Sequence, residues 1–260
     1  MTVSLIVTLL VVGFVGSFLS GLLGIGGAII NYPLLLFLPS ALGVASYTEH
    51  EVSGMIAVQV FFSTLSGVLS LRKDKLIHYK LVVYMGAAII VGSLLGAYGG
   101  KFLSGSTINT VYAILATIAA IMMFVPKKSR EGTSSEEITF NAFLAVTAAF
   151  IVGITSGIVG AGGAFILVPI MLTVLKIPTR VTIASSLAIT FMSSIGATVG
   201  KIMAGHILIW PSIIIVIASL LAAPLGTKVS KRINAKALQG ILAVLILATA
   251  LKIWWDLLIK

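Results

Sequence analysis

Uncharged apolar residues fill this chain in blocks of about 20, the length at which an α-helix crosses a hydrocarbon layer roughly 30 Å thick. Blocks of this kind are predicted as membrane spans near 52–71, 81–100, 107–125, 181–202, 208–227 and 237–255. Two further runs, 1–48 and 138–175, are too long for a single crossing. Both are interrupted by glycine: SGLLGIGGAIINYP at 20–33 and SGIVGAGGAFILVP at 156–169. Four glycines in seven residues disfavour a continuous helix by about 1 kcal/mol each relative to alanine. Each run therefore reads as a helix, a break, and a shorter second helix starting near Ala28 or Ala164.

The two glycine segments are also a repeat. Gly21, Gly24, Gly26, Gly27 and Pro33 map onto Gly157, Gly160, Gly162, Gly163 and Pro169 at a constant offset of 136 (157 − 21). Gly92, Gly96 and Gly100 are answered by Ala218, Ala222 and Gly226, a small-residue ladder that lets helices approach closely in lipid. The stretch 127–137 (KKSREGTSSEE) is the only long polar segment, and it reads as a linker between repeats at 1–126 and 138–260. The predicted fold class is an all-α polytopic membrane protein: two inverted-topology repeats, each a glycine-broken hairpin plus three transmembrane helices.

Composition agrees. Of 260 residues, 59% are hydrophobic and 9% charged, too few charges to cover a soluble surface. The net charge of +10 resides in short connections, with no basic stripe interleaved by aromatics, so nucleic acid is not an expected partner. The absence of cysteine excludes disulfides and thiolate metal sites. No basic residue precedes the apolar run at Val3, so a cleavable signal peptide is not expected.

Loop charges then give orientation. If each broken element returns to the side it entered from, 13 of the 17 basic residues share one side, against 10 if it crosses once. The returning arrangement is the better one. With three further spans per half it turns the second repeat upside-down, places the linker in the cytoplasm, and brings Trp210, Trp254 and Trp255 to the outer interface. Inverted repeats built on broken helices are common in secondary transporters.

A helix that begins at a break inside the membrane offers free N–H groups and about half a positive charge. Two such starts converging on one point form an anion site without a buried cation. The substrate-binding candidates are Ser20, Gly24, Gly26, Gly27, Ala28 and Asn31 in the first break, and Ser156, Gly160, Gly162, Gly163 and Ala164 in the second. Ser53, Gln59, Ser185, Ser186 and Thr190 on the following spans complete the set. Ser63, Thr64, Thr155, Ser193 and Ser194 supply further hydroxyls, and Ser186, Thr190 and Ser193 share a helix face. Each has a structural reading beside the functional one. Membrane glycines are commonly packing notches, and a serine or threonine often bonds its own helix carbonyls. Gln59 stands out, because a mid-span amide has no inexpensive partner in lipid. His78 and His206 read as boundary residues, and Glu49–Glu51 as a solvated loop on the outer rim. No cofactor, metal site or catalytic group is expected. A metal permease would need converging ligands, and only scattered methionines such as Met85 and Met192 are available. An intramembrane enzyme would need a buried base or metal pair.

The doubled motif, with Ala184-Ser185-Ser186-Leu187 after its second copy, resembles the TauE/SafE family of sulfite exporters over essentially the whole chain. Gly24, Gly26 and Gly27, and Gly160, Gly162 and Gly163, match the family glycines, and Pro33 and Pro169 the family prolines. Family copies often carry a third consecutive glycine where Ala28 and Ala164 stand. The first half reads Val52-Ser53-Gly54-Met55 where the second has ASSL. The resemblance implies a carrier in the cytoplasmic membrane that exports sulfite or an organosulfonate such as sulfoacetate by alternating access. Another small anion, or import, is the alternative. The partners implied are a small anionic substrate and the lipid bilayer, and a homodimer is compatible with this reading.

Overall fold

The computed structural model describes residues 2–71, 76–124 and 140–259, and those residues are helical with short connections. In chain order the helices are α1 (Val3–Leu23), α2 (Ala28–Ala41), α3 (Glu49–Leu71), α4 (Tyr79–Gly99), α5 (Gly105–Phe124), α6 (Ala142–Val159), α7 (Ala164–Thr173), α8 (Thr179–Ala204), α9 (Ile209–Ser230) and α10 (Ala235–Ile259). Eight are long and apolar enough to cross a membrane, while α2 and α7 are shorter. The six ordinary spans and both breaks stand where the hydropathy pattern puts them, and the second helices begin at Ala28 and Ala164 as expected. The linker 127–137 and the basic residues Arg72, Lys73, Lys75, Lys127, Lys128, Arg130 and Lys260 lie outside the described residues.

One boundary differs. Glu49–Glu51 is the first turn of α3 rather than a solvated loop. Glu51 Oε2 accepts from the N–H and hydroxyl of Thr48, while Thr48 Oγ1 accepts from the Glu51 N–H. This is the reciprocal capping box of a Thr-x-x-Glu sequence. Residues 48–51 carried that signal.

Close contacts set the helix directions. On α1 and α9, a Cβ at Gly13 would lie 3.1–3.2 Å from Ile215 and Ala218, and one at Gly21 would collide with the Ala223 carbonyl. Partner numbers rise together, so these helices are parallel. The same holds for α4 and α6, where Gly92 faces Phe150 and Ile154, and Gly157 faces Ser93 and Ala97. Ser66 and Ser70 of α3 bond Leu220 and Thr227, making α3 parallel to α9. Gly86 and Ala97 of α4 meet Met192 and Gly200, making α4 parallel to α8. Between α3 and α8 the order reverses: Gly54 meets His206, Ala57 accepts from Thr198, and Gly67 meets Leu187. Thus α1, α3 and α9 run one way and α4, α6 and α8 the other. Because α1 and α3 are parallel, α2 must carry the chain back to the face where α1 began.

Charge separates accordingly. Lys80, Lys176, Arg180, Lys228, Lys231, Arg232 and Lys236 lie toward the face where α3 and α9 end, which we term the basic face. Toward the opposite face lie Lys101, Lys201, Lys252, Trp210, Trp254, Trp255 and every carboxylate among the described residues, Glu49, Glu51 and Asp256. We term it the acidic face.

The small residues are steric requirements, because close packing replaces the hydrophobic drive for association within lipid. At Gly96 an added Cβ would run into the Ile154 backbone carbonyl, whereas nothing lies within 4 Å of one at Gly99. Gly96→Val is expected to destabilise the fold by about 3 kcal/mol, the upper range for overpacking. Gly99→Ala should be close to neutral. Thermal unfolding of the purified variants in detergent reads the difference, and equal midpoints would remove the ladder from the account of stability.

Candidate functional site

Each break is built from glycines with left-handed backbone. Gly24 ends α1 with φ 74°, its N–H donating to Ser20 O, and Gly27 starts α2 with φ 74°. Gly160 and Gly163 do the same for α6 and α7, each with φ 77°. A side chain in this region costs roughly 1–2 kcal/mol per residue, so the turn selects glycine.

The two breaks meet. A Cβ at Gly26 would lie 3.0 Å from Thr190 Cγ2, 3.4 Å from Val60 Cγ1 and 3.7 Å from Ala164 Cβ. A Cβ at Gly162 would lie 2.9 and 2.8 Å from the same Thr190 and Val60 methyls. Val60 and Thr190 sit near the middle of α3 and α8 and occupy equivalent places, at an offset of 130 (190 − 60). Gly24 packs against Ile183, and Gly160 against Ser53, at that same offset (183 − 53). The N-termini of α2 and α7 therefore approach one point from opposite sides, each presenting first-turn N–H groups that helix geometry leaves free.

On the helices that meet there the hydrogen-bonding capacity is incompletely used. Ser20 Oγ, both amide heteroatoms of Asn31, Gln59 Oε1, Ser63 Oγ, Thr190 Oγ1 and Ser193 Oγ are buried without a partner. A buried unpaired polar group ordinarily costs about 1–3 kcal/mol, so a concentration of six such side chains points to a ligand. Gln59 is held in place from its other end, its Nε2 donating to Ser17 Oγ at 3.0 Å and Gly13 O at 3.4 Å. Ser17 in turn donates to Ser219 at 2.7 Å, tying α1, α3 and α9 together beside the centre. Ser17 and Ser219 were absent from the sequence candidates, having no motif to mark them.

Other candidates act as clamps. Ser186 Oγ donates to Gly24 O at 2.8 Å and pins the end of α1 to α8. Ser185 Oγ accepts from the His78 N–H at 2.9 Å. Ser53 bonds His50 O, Ser156 Gly153 O, Thr155 Ile151 O, Thr64 Val60 O and Ser194 Phe191 O, all within their own helices. Ala28 and Ala164 are fully buried. Structural register also revises the sequence pairing of the two halves: Ala184-Ser185-Ser186-Leu187 corresponds to Gly54-Met55-Ile56-Ala57 (184 − 54 = 130), two residues from the expected Val52–Met55. Ser185, Ser186 and Thr190 thus answer to Met55, Ile56 and Val60, and α8 carries the hydroxyls that α3 lacks.

Lys201 carries no motif that marks it in the sequence. It is fully buried in α8, and its ammonium donates to Ile158 O at 2.8 Å. Ile158 is in the last turn of α6, where a cation complements the negative end of the helix. The equivalent position in the first half is Leu71 (201 − 71 = 130), so this brace belongs to one half alone. The histidines are boundary residues, as expected. His78 Nδ1 caps the start of α4, and His206, in the α8–α9 connection, stacks on His50 with ring centroids 4.5 Å apart. Burial, with His50 and Lys201 nearby, pushes the His206 imidazole down to about 4.

Comparison with known proteins reaches the same place. Residues 9–253 match the family described as Sulfite exporter TauE/SafE. The chain is similar to the probable membrane transporter protein YunE of Bacillus subtilis, 25% identical with 93% of this chain and 94% of that one covered. It is also similar to a probable membrane transporter protein of Xylella fastidiosa, 26% identical with 97% and 95% covered. A third such protein, from Methanocaldococcus jannaschii, is 25% identical with 90% of each chain covered. No solved structure matches the chain. With eight helices of membrane-crossing length among the described residues and a match over nearly its whole length, this chain belongs to the TauE/SafE family of membrane transporters.

Proposed function

We propose that this protein is a secondary transporter that exports sulfite or a small organosulfonate across the cytoplasmic membrane, binding it between the N-termini of α2 and α7. The observation that carries the proposal is the convergence of Gly26 and Gly162 on the same two side chains, amid buried hydroxyls and amides that lack partners. Converging helix starts favour a compact anion, and short hydroxyl donors suit sulfur oxyanions.

The opposed directions of α1 and α6, of α3 and α8, and of α4 and α9 support an inverted-repeat architecture. In such a protein alternating access exchanges the roles of the two halves. The excess of lysine and arginine on the basic face supports placing it in the cytoplasm. An inside-negative potential drives a monoanion outward by about 2.3 kcal/mol per 100 mV, so export needs no coupling ion.

Flux in proteoliposomes at a fixed potential tests this reading. Sulfite or sulfoacetate is expected to leave through the protein at a rate that grows with inside-negative potential, while taurine and a divalent cation move slowly. Charge movement with the cation and none with either anion would reverse the assignment.

A further inference from the structure

On the acidic face, the end of α2, the start of α3, the start of α5 and the end of α10 enclose a cavity of about 730 Å³, with Phe37, Ser40, Tyr47, Glu49, Asn109 and Asp256 in its wall. A chain of contacts runs inward from it. Asn109 Nδ2 donates to Glu49 Oε1 at 3.1 Å, and the Tyr32 hydroxyl donates to Asn109 Oδ1 at 2.8 Å. Tyr32, fully buried on α2, stacks on the equally buried Tyr112 of α5 with centroids 4.8 Å apart. The Tyr112 hydroxyl donates to Ile29 O in the first turn of α2. That carbonyl would normally accept from the N–H of residue 33, which is a proline and has none. The start of α2, at the central point, is thus joined to a rim carboxylate through α5.

The second half repeats the geometry without the charge. Thr179 stands at the place of Glu49 and Gln239 at that of Asn109, both at the offset of 130, and Gln239 Nε2 donates to Thr179 Oγ1 at 2.5 Å. Val168 replaces Tyr32 at the motif offset of 136. The ionisable form of this junction occurs only on the acidic face.

We propose that Glu49, Asn109 and Tyr32 are positioning residues that form a latch holding α2 against α5, and that protonation of Glu49 from the cavity releases it. The latch rests on the alternating-access reading above, and takes α2, whose start lines the substrate site, as an element that shifts in that exchange. Ionised Glu49 lies in the first turn of α3 and against Gly105, the first residue of α5, where an added Cβ would collide with its carboxylate. Two helix N-termini and the hydrogen bond from Asn109 therefore converge on this one carboxylate. Uptake of a proton removes the charge that both use, so the latch is closed when Glu49 is ionised and loosens as pH on this face falls.

Other charged and titratable groups surround it. Tyr32 faces it from α2 and Tyr47 from the α2–α3 connection. Asp256 of α10 is paired with Lys252 at 2.7 Å. His50 and Glu51 are on its own helix, and His206 faces His50 from the α8–α9 connection. Burial and Glu51 push the Tyr47 phenol up, out of the acid range. His206 titrates in the same window as a carboxylate, so substitutions decide between them.

The chain has no cysteine, so one introduced thiol reports α2 alone. In proteoliposomes without substrate, the labelling rate of Leu35→Cys, buried on α2, by a membrane-impermeant maleimide is divided by that of Ser40→Cys in the cavity wall. This ratio removes the thiol's own pH dependence. It is expected to rise about tenfold from pH 7 to pH 4, the scale of losing one charge-assisted hydrogen bond. Glu49→Gln and Tyr32→Phe should each give a high ratio at both pH values, while His206→Gln keeps the rise. A wild-type rise retained in Glu49→Gln, or a ratio that does not respond to pH in the unsubstituted background, overturns the latch. Because no substrate is present, failure of sulfite flux and failure of the latch are read separately.

Discussion

Gly162→Leu is expected to reduce substrate flux by at least about 100-fold while leaving the protein inserted and folded, and Gly26→Leu to do the same from the other half. At Gly162 the backbone has φ 65°, where a leucine carries roughly 1–2 kcal/mol of strain. The larger effect is spatial. The first added carbon would already stand 2.8–2.9 Å from Val60 and Thr190, and the rest of the side chain would fill the point where the two helix starts meet. The tight contacts at these two positions are with side-chain methyls rather than carbonyls, so the fold can yield while the site is blocked. Gly160 is different, because a Cβ there would strike the Ser53 carbonyl, and substitution should cost stability as well. Flux in proteoliposomes, alongside monodispersity and melting temperature in detergent, separates these cases. Unchanged flux in Gly162→Leu would remove the break from the transport route.

Thr190→Val and Ser193→Ala are expected to raise the substrate concentration for half-maximal flux by about tenfold each. Hydrogen bonds to a charged partner contribute about 1.5–3 kcal/mol, and 1.4 kcal/mol is a factor of ten. Both hydroxyls are buried without a partner, so no protein hydrogen bond is broken by removing them and stability should stay constant or rise slightly. Ser186→Ala is the contrasting variant. Its hydroxyl holds Gly24 O, so its loss should lower stability and maximal flux together with little change in half-saturation. If Thr190→Val left half-saturation unchanged, the substrate would not reach the α8 hydroxyls.

The membrane spans, the two breaks and the helix starts at Ala28 and Ala164 were legible in the sequence because they depend on local quantities. Twenty apolar residues must cross or be buried, and clustered glycines cannot continue a helix. The repeat offset of 136 pointed to a paired site for the same reason, since glycines that permit left-handed backbone stay in register. The capping box at Thr48–Glu51 was equally local and shows that α3 starts three residues earlier than its hydropathy suggests. The α3–α8 register was a different matter. It changes from 136 to 130 because α2 has 14 residues and α7 has 10, and the α2–α3 connection is two residues longer than the α7–α8 connection (42–48 against 174–178); a hydroxyl count along each helix cannot detect that.

What the amino-acid order determined by itself was the class of the protein, the number and place of its helices, and the existence of two matched breaks. These follow from transfer free energy and backbone propensity, both properties of short stretches. What only the tertiary structure decided was which polar side chains face the meeting point and which are engaged elsewhere. Ser186 and Thr190 lie four residues apart on one helix face, yet one clamps a carbonyl and the other has no partner. Lys201 became a brace on α6, and Glu49 a partner of Asn109, through contacts between residues more than 40 positions apart in the chain. The free energy of a hydrogen bond depends on whether a partner lies within reach, and helix packing sets that distance.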